Sequence, residues 1–493
     1  MSMTWEWIII VLYGLSLLFI FFFSLGQLHL TYHYIKAKKK LKGQVVKTPV
    51  MEEEYPQVCV QLPVFNEKYV VNRLVDAVCN LDYPDHKLEI QLLDDSTDET
   101  TEMLEAKVKH WQSLGKNILL IRRPERVDFK AGALQYGMDL TDAEFIAIFD
   151  ADFIPQSHFL KATIPHFQNE KIGVVQTRWG HVNKDYSLLT RLQAFGLDAH
   201  FTIEQVGRNK AGSFINFNGT GGVWRKETIR DAGGWSADTL TEDLDLSYRS
   251  QLKGWEFLYR EDVESPAELP IIMPAIKSQQ FRWNKGGAET ARKNFIKVLK
   301  APLGFSNKLH AFFHLFNSSI FIAILITALL SVPMLWIKSI HPELALLFQV
   351  GSVFLLGFFS IAIFYWVANK HLMKGKKHIK YFLKTFPLFI TVSMGLSLHN
   401  ALAVAEGLLG FKSAFIRTPK FNISDKNKSW KDNQYIKLQF SWLSVIEILL
   451  AGYFAFAIFL GIQLGDYGLI IFHLMLMLGF LMIFYHSVKP QIK

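Results

Sequence analysis

Apolar residues follow two different rhythms along this chain. Windows of about twenty apolar positions, long enough to cross a bilayer, occur near 5–29, 311–337, 344–368, 386–410, 440–462 and 467–486. Residues from about 50 to 300 instead carry short apolar runs: VCVQLP (57–62), LEIQLL (88–93), NILLI (117–121), FIAIF (145–149) and IGVVQ (172–176). Each ends near polar or turn residues, and helical patterns separate them. This alternation predicts a mostly parallel α/β sheet. Ligands of such sheets bind beyond the carboxyl ends of the strands.

Charge orients the long runs. The lysine-rich stretches IKAKKKLKGQVVK (35–47) and KHLMKGKKHIK (370–380) flank apolar segments, as cytoplasmic flanks do. They place the N-terminus outside and residues 31–310 in the cytosol. The first run lacks a small-residue cleavage site before its lysines and is expected to remain as a membrane helix. KSIHPE (338–343) turns the next two spans into an out-and-back pair, and QLGDYG (463–468) does the same for the last two. Segment 386–410 carries His399, Asn400 and Glu406, which suit a helix in the interface better than one spanning lipid. Five crossings and one interfacial or re-entrant segment are therefore expected. The amphipathic stretch 289–305 is expected on the inner leaflet.

Composition fits this picture. The 493 residues are 50% hydrophobic, and much of the lysine behind the formal charge of +9 flanks apolar runs, so a nucleic-acid partner is not indicated. Cys59 and Cys79 form neither a disulfide framework nor a metal-site spacing. The expected organisation is a membrane helix at 1–32, a catalytic domain at 50–288, an interfacial helix at 289–310 and a membrane bundle at 311–493 that includes a loop at 411–436.

The strand ends deliver acids to one edge of the sheet: LPVFNE (62–67), QLLDDSTDET (91–100) and FIAIFDAD (145–152). No strand leads into a glycine-rich phosphate loop, so a metal is suggested instead. Asp150 and Asp152, one residue apart after a strand, can share a hard divalent cation that clamps a diphosphate; the alternative is a surface turn. Asp94 and Asp95 follow another strand, although Asp95 or Ser96 could instead cap the helix TDETTEMLEAKVKHW. Lys130 in DFKAGAL (128–134) neutralises phosphate or is solvated. In LTEDLDLSYR (240–249), Thr241 with its acids reads as a helix cap and first turn, or Asp243 reads as a general base. Finally, SQQFRWNKGG (278–287) offers the amide of Gln279, the guanidinium of Arg282 and the flat face of Trp283, a set suited to a sugar carrying phosphate.

Taken in order, Asp94-Asp95, Asp150-x-Asp152, Thr241-Glu242-Asp243 and Gln279-x-x-Arg282-Trp283 resemble the D, D-x-D, [TE]-E-D, Q-x-x-R-W signature of processive family-2 glycosyltransferases. That group includes cellulose, hyaluronan and chitin synthases and the plant cellulose-synthase-like mannan synthases. The resemblance covers about residues 55–425, and FNGTGGVWR (217–225), LTEDLDLSYR and FIRTPKFNI (415–423) look closest to the glucan and glucomannan branch. It implies a Rossmann-like GT-A domain inserted in a helical membrane bundle. Glu67, Asp94 and Asp95 would contact the nucleoside, and Lys130 would approach the phosphates. Asp150 and Asp152 would hold Mg²⁺ or Mn²⁺, and Asp243, beside Glu242, would be the base of an inverting transfer. Gln279 and Arg282 would hold the diphosphate, and Trp283 would face the acceptor sugar. Phe415, Thr418 and Lys420 resemble an F-x-V-T-x-K gating loop, with Arg417 in the valine position.

The function so implied is transfer of a hexose from UDP-glucose or GDP-mannose to a growing β-glucan or (gluco)mannan. A non-processive enzyme acting on a membrane lipid is the alternative, and an inactive transporter or scaffold is the reading from another class. Accessory subunits stay open. With no tail after the last span, a cyclic-dinucleotide-binding domain is not expected.

Overall fold

The computed structural model describes residues 4–40, 48, 51, 54–373, 377–414, 416–423, 433, 435 and 441–492. Among these residues, seven strands form one sheet: β1 (Val58–Val64), β2 (Leu88–Asp94), β3 (Ile118–Ile121), β4 (Phe145–Ile148), β5 (Ile172–His181), β6 (Gly222–Arg225) and β7 (Glu256–Ala267). Their order is β3-β2-β1-β4-β6-β5-β7. The central strand β1 is flanked in parallel by β2, with Val58 opposite Leu88, and by β4, with Val58 opposite Phe145.

All five strands read from the apolar runs are present, and the sheet is mostly parallel. Two strands were not read. β6 lies antiparallel between β4 and β5, and its four residues are too few to show a period. β7 runs parallel to β5 at the edge. It carries Glu256, Arg260, Glu261, Asp262 and Glu264, the kind of charge that keeps an edge strand from pairing further and hides its apolar alternation. On one face of the sheet Val71, Leu74, Val75 and Leu104 pack into the core, and on the other Leu134, Met138 and Ile203 do.

After β7 the chain enters a single helix, Met273–Lys300, with Pro274 in its first turn, where a missing N–H costs nothing. This helix carries the Gln-x-x-Arg-Trp run. It continues through the boundary expected at 288/289, so the motif and the amphipathic stretch share one rigid rod.

Among the described residues, five helices are long and apolar enough to cross a membrane: Trp5–Lys40, Asn317–Ile340, Pro342–Leu372, Trp442–Gln463 and Ile470–Lys489. The first belongs to a helix of 37 residues, Thr4–Lys40, roughly 55 Å long where the hydrocarbon core is about 30 Å thick. Its surplus lies along the domain that holds the sheet. Lys38 Nζ is 2.6 Å from Glu261 Oε2 on β7 and Tyr34 donates to Oε1 at 3.3 Å. His371, at the end of the Pro342–Leu372 span, reaches the same carboxylate at 3.1 Å.

Segment 386–410 falls in two helices, Lys377–Gly395 and Ser397–Leu409, bent by 51° at their junction. The second packs against Met273–Lys300 through the three polar residues that argued against a crossing. His399 Nε2 donates to the Lys277 carbonyl at 2.9 Å, Asn400 donates to Gln280 at 3.2 Å, and Glu406 pairs with the buried Lys285 at 2.8 Å.

A candidate active site between the strand ends and the motif helix

One cavity opens where β1, β2 and β4 end. Glu67 follows β1, Asp95 follows β2, and Asp150 and Asp152 follow β4; all four line it. From the opposite side come Glu242 and Asp243, at the start of helix Glu242–Leu252, and Gln279, Arg282 and Trp283 on Met273–Lys300. Lys130, Thr418 and Lys420 complete the set foreseen from sequence. Asp94 stands apart. Its Oδ1 accepts from the Ser96 N–H at 2.9 Å and its Oδ2 from Thr101 Oγ1 at 2.7 Å, so this buried carboxylate braces the turn rather than facing the cavity. Phe415 lies outside the described residues.

Thr241 does stand at the cap position with Glu242, Asp243 and Asp245 in the first turn, but Asp95 and Lys130 depart from their plainer alternatives. The helix after β2 begins at Thr100, too late for Asp95 to cap it. Asp95 is instead held in a fork by Arg123, through Nη2 at 2.6 Å and Nε at 2.8 Å, the two-point pairing that a planar guanidinium favours. Thr241 caps nothing with its side chain; its Oγ1 meets Thr290 Oγ1 at 3.2 Å. Lys130 is not solvated. It donates to Asp150 Oδ1 at 2.6 Å and to the Gly219 carbonyl at 2.9 Å. Gly219 has φ +78° and lies so close to Asp243 that a Cβ there would sit 3.0 Å from Oδ2.

The electrostatics follow from crowding buried charge into one space. Burial raises Asp243 well above the usual carboxylate range and Glu242 adds to it, while Lys130 opposes both. Burial would lower Lys130, but Asp150, then Glu242 and Asp243, outweigh it and hold its pKa above the ordinary lysine value. Burial lowers Arg282, opposed by Glu242, Asp150 and Asp243. Burial pushes Glu67 up to about 7, against the pull of Arg417 and Lys420. Acids and bases from distant parts of the chain thus feel one another here.

Segment 416–423 is seated in the mouth. Lys420 Nζ lies 2.8 Å from Asp152 Oδ1, and Asp152 is only 2% exposed. Arg417 pairs with Glu67 at 2.6 Å, and Thr418 accepts from Arg282 Nη2 at 2.8 Å. The Phe421 N–H donates to Glu268 at 2.9 Å, and Arg73 bonds both Glu268 at 3.1 Å and Asn422 at 2.9 Å. Several of these residues escaped the sequence reading. Arg123 and Arg126 sit in RRPER just before the Lys130 helix, a basic run that could have been noticed. Arg126 lies over the Phe65 ring, 3.5 Å from its centroid. Glu268 follows β7, and with β7 unread nothing pointed to it.

Among the described residues, no group of three or more His, Cys, Asp or Glu is arranged to hold a metal ion. Asp150 and Asp152 nevertheless present hard oxygen donors to positive charge, since each holds a lysine ammonium. That donor chemistry suits a divalent cation whose remaining ligands come from a bound phosphate.

Residues 56–286 match the family described as glycosyltransferase like family 2. The chain is 38% identical to the probable glucomannan 4-beta-mannosyltransferase 4 of Oryza sativa subsp. japonica over 361 residues, 72% of this chain and 63% of that protein. It is 41% identical to the glucomannan 4-beta-mannosyltransferase 1 of the same plant over 279 residues, 55% of this chain and 54% of that one. The chain thus spans between half and two thirds of the length of these relatives. The fold is similar to that of a mannosyltransferase from Pyrobaculum calidifontis, solved in complex with GDP-Man and Mn²⁺. The TM-score is 0.51 at 20% identity, covering 80% of this chain and all of that one.

Proposed function

We propose that the protein, whose residues 56–286 match the family described as glycosyltransferase like family 2, is a membrane-embedded inverting transferase, moving a hexose from a nucleoside-diphosphate sugar onto a growing β-linked polysaccharide. The names of the rice relatives favour mannose, a 1,4-linkage and a glucomannan-type product. GDP-mannose is then the first donor to test, ahead of UDP-glucose. The observation that carries the proposal is the convergence of Asp152, Asp243 and Arg282 on one cavity at the foot of helix Met273–Lys300. The lysine-rich flanks support a cytoplasmic catalytic domain.

Each residue then has a task. Asp243 takes the proton from the attacking acceptor hydroxyl as its oxygen bonds to the anomeric carbon from the face opposite the leaving group. The bond from that carbon to the diphosphate breaks, and Arg282 and Lys130 stabilise the charge that collects there. Asp150 and Asp152 are the residues that would hold Mg²⁺ or Mn²⁺, which when bound neutralises diphosphate charge. Glu67 and Asp95 border the nucleoside end. Trp283 offers its face to the acceptor sugar, so Trp283→Ala should raise the acceptor KM about tenfold or more with donor affinity within threefold of wild type. Equal losses in both would remove Trp283 from the acceptor site.

Helix contact sets the position of the base. A Cβ on Gly286 would lie 2.8 Å from the backbone nitrogen of Thr241. Gly286→Ala should therefore displace the start of the Asp243 helix and lower kcat by up to about 10²-fold, the cost of a misplacement of roughly 1 Å. Unchanged kcat would show that the contact yields without moving Asp243.

The decisive experiment incubates membranes carrying the protein with labelled GDP-mannose or UDP-glucose, then sizes the product and determines its linkages. Long β-1,4-linked chains support the proposal. A single hexose on lipid would replace it with a lipid-acceptor enzyme, and no transfer from any donor would return the protein to the non-enzymatic class.

A further inference from the structure

Helix Leu188–Lys210 is interrupted by one π turn, His200–Glu204. π turns inside α-helices are uncommon and recur at functional sites. This one sets His200 Nδ1 2.7 Å from Glu204 Oε2 and His200 Nε2 3.2 Å from Asn218 Oδ1. Asn218 is in the cavity wall, and the carbonyl of the next residue, Gly219, holds Lys130.

A chain of side-chain amides fixes the direction of these bonds. Gln205 Nε2 donates to Asn216 Oδ1 at 3.2 Å and to the Asn216 carbonyl at 3.1 Å. Asn216 Nδ2 must then be a donor, and it gives its proton to Asn218 Oδ1 at 2.8 Å. Asn218 Oδ1 is thereby an acceptor, so His200 Nε2 donates to it while Nδ1 faces the Glu204 carboxylate. Among the described residues, Asn218 Nδ2 makes one long bond, 3.4 Å to the Asn216 carbonyl, and Asn218 lines the cavity. Burial opposes ionisation of Glu204, yet Arg208, then His200, outweigh it and hold this carboxyl well below the usual range. Arg208 lies 3.4 Å away.

We infer that His200 is a positioning residue for the transfer reaction: seated on its π turn with Glu204, it holds the Asn218 amide with one N–H toward the sugar space beside Asp243, and with it the strap 216–221 that anchors Lys130. His200 itself touches no sugar. The inference rests on the transferase reading above.

The test uses the full chain in lipid nanodiscs, with initial transfer rates and donor affinity measured separately. His200→Ala should lower kcat about 10- to 100-fold and leave the donor Kd within twofold. His200→Gln, whose amide N–H can reach Asn218 Oδ1, should recover most of that loss. The double variant His200→Ala/Asn218→Ala should be no slower than Asn218→Ala alone, because the two residues act as one unit. If His200→Ala does not fold, His200→Asn, polar but too short to reach, takes its place in the cycle. Multiplying losses in the double variant, or a Gln variant as slow as the Ala one, overturns the inference. These outcomes require an active wild type, whereas a wild type that transfers no sugar overturns the transferase reading and this inference with it.

Discussion

Asp243→Asn is expected to abolish hexose transfer, by about 10³-fold or more, while nucleotide-sugar affinity changes by less than about threefold. The substitution keeps the shape of the side chain. The amide oxygen can still accept from the Leu244 N–H, which lies 2.8 Å from Oδ1, so the start of helix Glu242–Leu252 is preserved. What is lost is the only function an amide cannot imitate, accepting a proton from the attacking hydroxyl. Lys130 keeps its direct bond to Asp150, so the phosphate-binding side stays charged as before. Rates with labelled donor and equilibrium binding of the nucleotide separate the two effects, and a variant retaining a tenth of wild-type turnover would remove Asp243 from the base role. The wild-type pH profile carries a related expectation. Burial and Glu242 raise the Asp243 carboxyl, and the base works only when ionised. Turnover should therefore fall as pH drops through a value clearly above about 4, the ordinary range for aspartate.

Asp152→Ala should have the second largest effect, and its physics is different. Asp152 is buried and faces the Lys420 ammonium at 2.8 Å. Its removal leaves that cation with Glu67 and Asp150 as its remaining acidic neighbours. Orphaning a buried charge costs about 3–5 kcal/mol at most, and less here because 18% of the Lys420 side chain stays exposed. A lower Tm is expected together with donor binding weakened about 30-fold or more in the presence of Mg²⁺ or Mn²⁺. Adding Lys420→Met to Asp152→Ala separates the causes: Tm should recover, because no cation is left unpaired, while donor binding should not. Donor affinity unchanged in the single variant would show that Asp152 has no part in holding the diphosphate.

Much of this site could be read in the chain because its strongest signals are local. The acids at 94–95 and 150–152 come directly after apolar strands, and a strand end fixes where its next residues go. Even so, adjacency misled at Asp94, whose carboxylate is consumed by Ser96 and Thr101 while its neighbour Asp95 takes the cavity. A one-residue step at a strand end reverses the side chain, and composition cannot say which of two acids faces in. β7 stayed hidden because an edge strand rich in acids lacks apolar alternation, and Glu268 stayed hidden with it. The partners of Lys130 and Lys420 were out of reach for another reason. Lys420 meets Asp152 across 268 positions of sequence, and only the folded sheet brings them together.

Glu261 lies far from the chemistry, yet the first membrane helix and the third candidate span both end on it. Tilting either helix against the sheet would break its contact with that one carboxylate. For the proposed transferase, that shared anchor would hold the site at a set height over the lipid, leaving the polymer as the part that travels from one addition to the next.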